Sequence, residues 1–85
     1  MKKKDGYTRV QMYFLNWQGA ITDFETVAEF YSLGWARYLL PELERREQES
    51  KKAATRVMPN ERIEIQTWNV QEKKFDTYRS YNIYY

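Results

Sequence analysis

The stretch that decides the fold is TDFETVAEFYSLGWARY, residues 22–38. Thr22 and Glu25 have the spacing of a helix capping box, in which the threonine oxygen accepts a helix N–H and the glutamate reaches back to the cap. Apolar residues then follow at steps of three and four, which predicts an apolar stripe along one side of a helix. The stripe comprises Phe24, Val27, Ala28, Tyr31, Trp35 and Tyr38.

Pro41 interrupts this predicted helix. It has no N–H to donate to the carbonyl four residues back, so the sequence predicts that the helix kinks or restarts there. Residues 42–54 favour helix and are mostly polar. Over residues 42–56, five cations and four carboxylates leave a net charge of only +1 (5 − 4). This balance favours a solvated helix with i,i+4 ion pairs over a helix that reads DNA.

Three other stretches have the composition of strands. Residues 7–15 and 62–70 are rich in β-branched and aromatic residues that alternate with polar ones. Residues 75–84 repeat this pattern after the polar stretch 71–74, which predicts a hairpin. In residues 16–19, Gly19 is free to adopt a turn conformation that ends the first strand.

Together these elements predict an α+β fold. We expect a two-layer β-α-β-β sandwich, in which a three-stranded, mainly antiparallel sheet is covered by one long helix kinked or broken at Pro41. The chain of 85 residues is expected to be a single domain, with residues 1–6 as a flexible basic arm. The β-α-β-β order resembles half of a ferredoxin-like domain, a likeness of topology that implies no function.

The composition excludes several chemistries. The chain has no cysteine, so it can form no disulfide and no zinc–thiolate site. It also has no histidine, which excludes Ser-His-Asp and Cys-His nucleophiles. The carboxylate pairs Glu25–Glu29 and Glu61–Glu64 are accompanied by neither a second type of metal ligand nor a glycine-rich phosphate loop. We therefore predict a protein that is not an enzyme, with no catalytic residue, no metal and no cofactor.

The predicted strands place different residues on the two faces of the sheet. One parity suits the core, and it comprises Val10, Met12, Phe14, Ile63, Ile65, Phe75, Tyr81 and Ile83. The other parity carries aromatic and arginine residues, which are Tyr7, Arg9, Tyr13, Trp68, Tyr78 and Tyr84, with Gln11, Arg62, Glu64 and Gln66 among them. A single bulge would reverse this assignment beyond its position.

An exposed aromatic face has three interpretations. It can be the hot spot of a protein interface, a stacking platform for unpaired bases, or a set of ordinary cross-strand partners. We favour an inhibitor or adaptor that binds a larger protein. The candidate binding residues are Arg9, Tyr13, Arg62, Trp68, Tyr78, Arg79 and Tyr84.

Two alternatives stay open. The same aromatics could bind single-stranded nucleic acid, with the arginines and the arm of Lys2, Lys3 and Lys4 on phosphates. The chain could also self-assemble, as a homodimer paired through its last strand, because residues 78–85 are a tyrosine-rich strand with no later element to cover it.

The sequence also suggests a location. No apolar run approaches the ~20 residues of a membrane helix, and we expect no membrane contact. Because the chain has no cysteine and no apolar leader, we expect it in the cytoplasm. Small, aromatic-rich chains without cysteine are also typical of proteins encoded by phages and mobile elements.

Overall fold

Residues 21–30 form a β-strand and not the first part of a helix, and this difference changes the architecture. The computed structural model describes residues 6–31, 34, 36–55 and 57–85. The elements in chain order are β1 (Thr8–Leu15), β2 (Ile21–Phe30), α1 (Ala36–Ala53), β3 (Glu61–Asn69) and β4 (Lys74–Ile83). The order is thus β-β-α-β-β, so the predicted β-α-β-β order is wrong, and with it the likeness to half of a ferredoxin-like domain.

Two bulges explain why the sequence of β2 has the spacing of a helix. In the pairing of β2 with β1, Thr22 and Val27 are extra residues. An extra residue shifts the period-2 alternation of a strand by one position. Ile21 and Phe24 therefore stand on the same face of the sheet although they are three residues apart, as they would on a helix.

The predicted apolar stripe is for this reason not the cover of the core. Its aromatic residues Phe24, Tyr31 and Tyr38 are exposed, and so is Val27. Ala28 is half-buried and packs against the core from β2. Trp35, the remaining member of the stripe, lies outside the described residues.

The sheet has four strands in the order β2-β1-β3-β4, and every neighbouring pair is antiparallel. The prediction of three strands is therefore wrong. The hairpin of the last two strands is confirmed to within one residue, with a turn at residues 70–73. The two outer strands, β2 and β4, form the edges of the sheet.

The helix is shorter than predicted, but Pro41 does not divide it. It runs without a break from Ala36 to Ala53. Pro41 lies in its second turn, where the missing N–H removes a single helical hydrogen bond. The prediction of one long helix from residue 22 onward is wrong, because its first third belongs to β2.

The helix packs against β4 and covers one face of the sheet, here called the helix-side face. Leu43 meets that face, and Leu39 and Leu40 pack beside it. The buried residues of the sheet on this face are Val10, Ile63, Ile65, Tyr81 and Ile83. These five confirm the predicted core parity. Met12 also packs against the cluster, while Phe14 is half-buried.

Phe75 is the exception to the predicted core. A bulge opposite Ile65 and Gln66 leaves Tyr78 as an extra residue in β4. The alternation of β4 therefore differs on the two sides of Tyr78, and Phe75 pairs with Trp68 on the face opposite the helix. In the described part of the chain, no helix has the length and apolar character needed to cross a membrane.

Candidate functional site

The face opposite the helix, here called the open face, carries no helix in the described part of the chain. The register places Arg9 beside Gln66, Tyr13 beside Arg62, and Trp68 beside Phe75 on this face. Four of the predicted binding residues thus share one surface, and they are Arg9, Tyr13, Arg62 and Trp68. All four are partly exposed.

Aromatic rings cluster at the end of the open face where β1 begins. The Trp68 and Phe75 rings meet edge to face, with centroids 5.0 Å apart. Tyr7 links them to β2, because its ring lies 5.9 Å from Phe75 and 5.5 Å from Tyr31. The Arg9 guanidinium carbon lies 3.6 Å from the Phe75 ring centroid, a cation–π contact. We call this group of contacting side chains the aromatic cluster; it consists of Tyr7, Arg9, Tyr31, Trp68 and Phe75. Tyr7 is buried, and the other four are partly or fully exposed.

Gln66 organises the polar centre of the open face. Arg9 Nε donates to Gln66 Oε1 at 2.8 Å, and Gln66 Nε2 donates to the Tyr13 hydroxyl at 2.8 Å and to Glu64 at 3.0 Å. Glu64 also accepts from the Thr77 hydroxyl at 3.1 Å. Because Gln66 is 7% exposed and fully engaged, it holds Arg9 and Tyr13 in fixed positions.

The charges of the open face are balanced. Arg9 and Arg62 supply two cations, and Glu29 and Glu64 supply two carboxylates by register with β1 and β3. Arg62 Nη1 lies 3.6 Å from Glu64 Oε2, and both side chains are partly exposed.

Burial raises the pKa of the Tyr7 phenol, and the hydrogen bond that it donates to Glu29 raises that pKa further.

The remaining predicted residues lie elsewhere. Tyr78 is the extra residue of the β4 bulge, and its side chain is exposed. Arg79 pairs with Ile65, which places it on the helix-side face. Tyr84 follows the end of β4 and is half-buried, and its N–H donates to the Ser50 hydroxyl of the helix at 3.2 Å. The structure does not bring these three into the aromatic cluster. Of the predicted basic arm of residues 1–6, residues 1–5 lie outside the described residues.

Three members of the aromatic cluster, Tyr7, Phe75 and Tyr31, are not among the candidate binding residues, although the sequence places Tyr7 on the correct face. The alternation of the last strand predicts Phe75 in the core, because the bulge at Tyr78 leaves no mark in the sequence. Apolar spacing predicts Tyr31 on a helix, because the bulges of β2 imitate helical spacing. Phe24, predicted on the same helix, extends the open face on β2, where its ring centroid lies 6.2 Å from that of Tyr13.

An open groove of about 580 Å³ lies at the turn of the last hairpin. It is lined by Thr67, Trp68, Asn69, Val70, Gln71 and Asp76. Its lining is mostly polar, and the register places Thr67, Asn69 and Asp76 on the helix-side face, not on the open face. Among the described residues, no three acidic side chains come together in a way that could hold a metal ion.

Comparisons with known proteins do not add to this picture. No protein-family model, no curated protein and no solved structure matches the chain. The function must therefore be argued from the geometry of the open face.

Proposed function

We propose that the protein is a non-enzymatic interaction module, an inhibitor or adaptor, that binds a larger protein through the open face. The observation that carries this proposal is the aromatic cluster, in which Arg9, held by Gln66, lies over the Phe75 ring, and that ring in turn contacts Trp68 and Tyr7. Tryptophan, tyrosine and arginine are the residues that dominate the binding energy of protein interfaces. Because Gln66 fixes Arg9 in advance, little side-chain entropy is lost when a partner binds.

The same geometry favours a protein over a single-stranded nucleic acid. A nucleic-acid groove needs excess positive charge, whereas two cations and two carboxylates cancel on the open face. Stacking needs an accessible ring plane, but Arg9 lies over the Phe75 ring, and Trp68 meets that ring edge to face. We keep the cytoplasm as the proposed location because the chain has no cysteine, in agreement with a reducing compartment.

The experiment is affinity capture from a lysate of the source cell, with the purified chain immobilised and the lysate divided between nuclease-treated and untreated halves. We expect a specific protein band in both halves. Trp68→Ala combined with Arg9→Ala should weaken the band at least tenfold, because truncation of one interface hot spot costs about 2 kcal/mol or more. Far-UV circular dichroism checks that the variant is folded.

Trp17→Ala is the matched control. Trp17 is 72% exposed in the turn between β1 and β2, away from the aromatic cluster, so its loss should leave the band unchanged. A band that persists in the folded double variant would show that the partner uses another surface. A band that disappears with nuclease would favour the nucleic-acid alternative, as would quenching of tryptophan fluorescence by oligonucleotides at low salt.

A further inference from the structure

The outer edge of β2 has backbone groups that point away from the sheet. The Tyr7 carbonyl accepts from the Trp68 N–H at 2.7 Å, so the odd residues of β1 direct their backbone toward β3. Thr8, of opposite parity, faces β2 and pairs with Phe30. The N–H and C=O of Glu29, next to Phe30, therefore point outward, where no described strand lies.

The other edge of the sheet is different, because the helix covers its C-terminal end. Glu47 of the helix accepts a hydrogen bond from the Asn82 N–H at 2.6 Å, and the Ser50 hydroxyl accepts one from the Tyr84 N–H at 3.2 Å. Pairing of a further strand along this end of β4 would have to break both bonds. On the described chain, an added strand would therefore pair more readily with β2 than with the C-terminal end of β4.

The side chains in the first half of β2 differ between the two faces of the sheet, with apolar residues on one face and carboxylates on the other. Ile21 and Phe24 stand on the open face and are 51% and 59% exposed. Asp23 and Glu25 stand on the helix-side face, opposite Phe14 and Met12. An added strand would thus meet apolar side chains on one face and carboxylates on the other. The Asp23 carboxylate accepts from the Phe24 N–H at 2.8 Å, a local contact that an added strand would replace.

The negative charge of β2 indicates which kind of strand could pair with its outer edge. The strand contains Asp23, Glu25 and Glu29 and no lysine or arginine, and none of the three is within salt-bridge distance of a described cation. A second copy paired through the same strand would bring carboxylates against carboxylates, which is unfavourable. A basic segment would instead be attracted.

We propose that the β2 edge is a second docking surface, which takes an extended basic segment of a partner protein as a fifth strand. In that segment, lysine or arginine alternates with apolar residues, so that its cations meet Asp23 and Glu25 while its apolar side chains extend the surface of Ile21 and Phe24. Backbone hydrogen bonds supply the pairing, and the alternation supplies the specificity. This surface is independent of the function proposed for the aromatic cluster.

The test is a titration of the isotope-labelled chain with a short blocked peptide in which lysine and valine alternate, followed by amide NMR. We expect chemical-shift changes concentrated in Ile21–Phe30 and slower hydrogen exchange at Glu29. The same peptide with glutamate in place of lysine should bind roughly tenfold more weakly or worse, because two exposed ion pairs are replaced by repulsion.

Charge-matched variants separate specific pairing from general attraction. Asp23→Lys with Glu25→Lys and, as a control, Glu44→Lys with Glu72→Lys each raise the formal net charge by four, from +2 to +6. We expect the first pair of changes to reverse the preference between the two peptides and the control to retain it. Trp68→Ala should leave peptide binding at β2 unchanged, which keeps this proposal separate from that for the aromatic cluster.

Three results would overturn the proposal. The first is the absence of shifts at millimolar peptide, and the second is a set of shifts confined to the open face or to β4. The third is a concentration-dependent dimer by light scattering whose formation perturbs the β2 amides, because a second copy would then occupy the edge.

Discussion

The molecule consists of two hairpins that end in edges of opposite kinds. β2 and β4 are both outer strands of ten residues, and each is paired with one inner strand. The helix packs on β4, covers its core face and accepts from two outward N–H groups, that of Asn82 and that of Tyr84 just beyond the strand. β2 has no such cover in the described chain. One helix thus serves as the second layer and also protects the C-terminal end of the β4 edge, whereas no described element protects β2.

The turns of the two hairpins are more alike than their edges. In the first, the Asn16 side chain accepts from the N–H groups of Gln18 and Ala20, each at 2.9 Å. In the second, Asn69 accepts from the N–H of Glu72 at 3.0 Å. The two hairpins are thus stabilised locally by the same asparagine chemistry. The difference between them comes from the chain outside the turns.

The largest loss of stability is expected when the contact between helix and sheet is removed, because only β4 has that contact. Leu43 is 5% exposed and lies in the core cluster between the helix and β4. Leu43→Ala should lower the free energy of unfolding by about 2–5 kcal/mol, because it removes buried methyl groups and leaves a cavity. Urea denaturation followed by circular dichroism measures this loss.

Ile21→Ala in β2 is the matched control. Ile21 is 51% exposed, so its truncation should cost about 1 kcal/mol or less. If the two variants were equally destabilised, β2 would contribute to the core as much as the helix does, and the contrast between the edges would be wrong.

A change in the first turn should have the next largest effect. Gly19 has a φ of +85°, and a Cβ there would lie 3.0 Å from the terminal carbon of Met58. Gly19→Ala should therefore cost about 2 kcal/mol, about half of it from the left-handed backbone that L-residues avoid and the rest from the close contact with Met58. Gly6 has a φ of +89°, and a Cβ there would meet nothing within 4 Å, so Gly6→Ala should cost about 1 kcal/mol from the backbone alone. Equal losses, measured by urea denaturation, would show that the Met58 contact has no effect.

The two hairpins also differ in how far their sequences predict them. β3 and the last part of β4 alternate regularly, and their strands and buried residues follow from that pattern. β2 contains two extra residues, Thr22 and Val27, so that Ile21 and Phe24 share a face at a helical spacing, although Ala28 of the predicted stripe lies on the other face. The capping-box spacing of Thr22 and Glu25 strengthens the wrong prediction. The choice between strand and helix depends on pairing with β1, which is not a local property of the sequence.

The sequence likewise predicts the candidate site only where the strands pair without a bulge. Arg9, Tyr13, Arg62 and Trp68 share a face because β1 and β3 pair without a bulge. Arg79 falls on the other face because it alternates in step with Tyr81 and Ile83, whereas the bulge at Tyr78 moves Phe75 to the open face. The central role of Gln66 depends on side-chain contacts across strands, for which a single sequence has no signal.

Removal of an edge cap should affect β4 alone. Glu47→Ala removes the acceptor for the Asn82 N–H and should cost about 1.5 kcal/mol, since a hydrogen bond to a charged group is stronger than a neutral one. It should also speed hydrogen exchange at Asn82. Glu49→Ala is the control on the same helix, because Glu49 forms only an exposed ion pair with Arg45, worth about 0.5 kcal/mol. Unchanged exchange at Asn82 in Glu47→Ala would show that the cap does not protect this edge.

The smallest expected effect concerns the buried hydroxyl of Tyr81 on β4. Among the described residues this oxygen has no hydrogen-bond partner, so Tyr81→Phe should raise the free energy of unfolding by about 1 kcal/mol at neutral pH. Burial raises the pKa of Tyr81 above its usual value of 10.0, and the nearby carboxylate of Glu44 adds to the rise.

The sign of the pH effect follows from that direction. A raised pKa in the folded state means that the stabilising contribution of the neutral phenol is complete below pH 10 and is lost as the pH rises through the folded value. Tyr81→Phe should therefore lose less stability than the unmodified protein between pH 7 and about pH 11 in urea denaturation. Part of the loss should remain, because the pKa of Tyr7 and that of Tyr85 are also raised. An alkaline loss of the same size in both proteins would mean that Tyr81 ionises with the pKa of an exposed tyrosine, and that the helix does not seal the core face of β4.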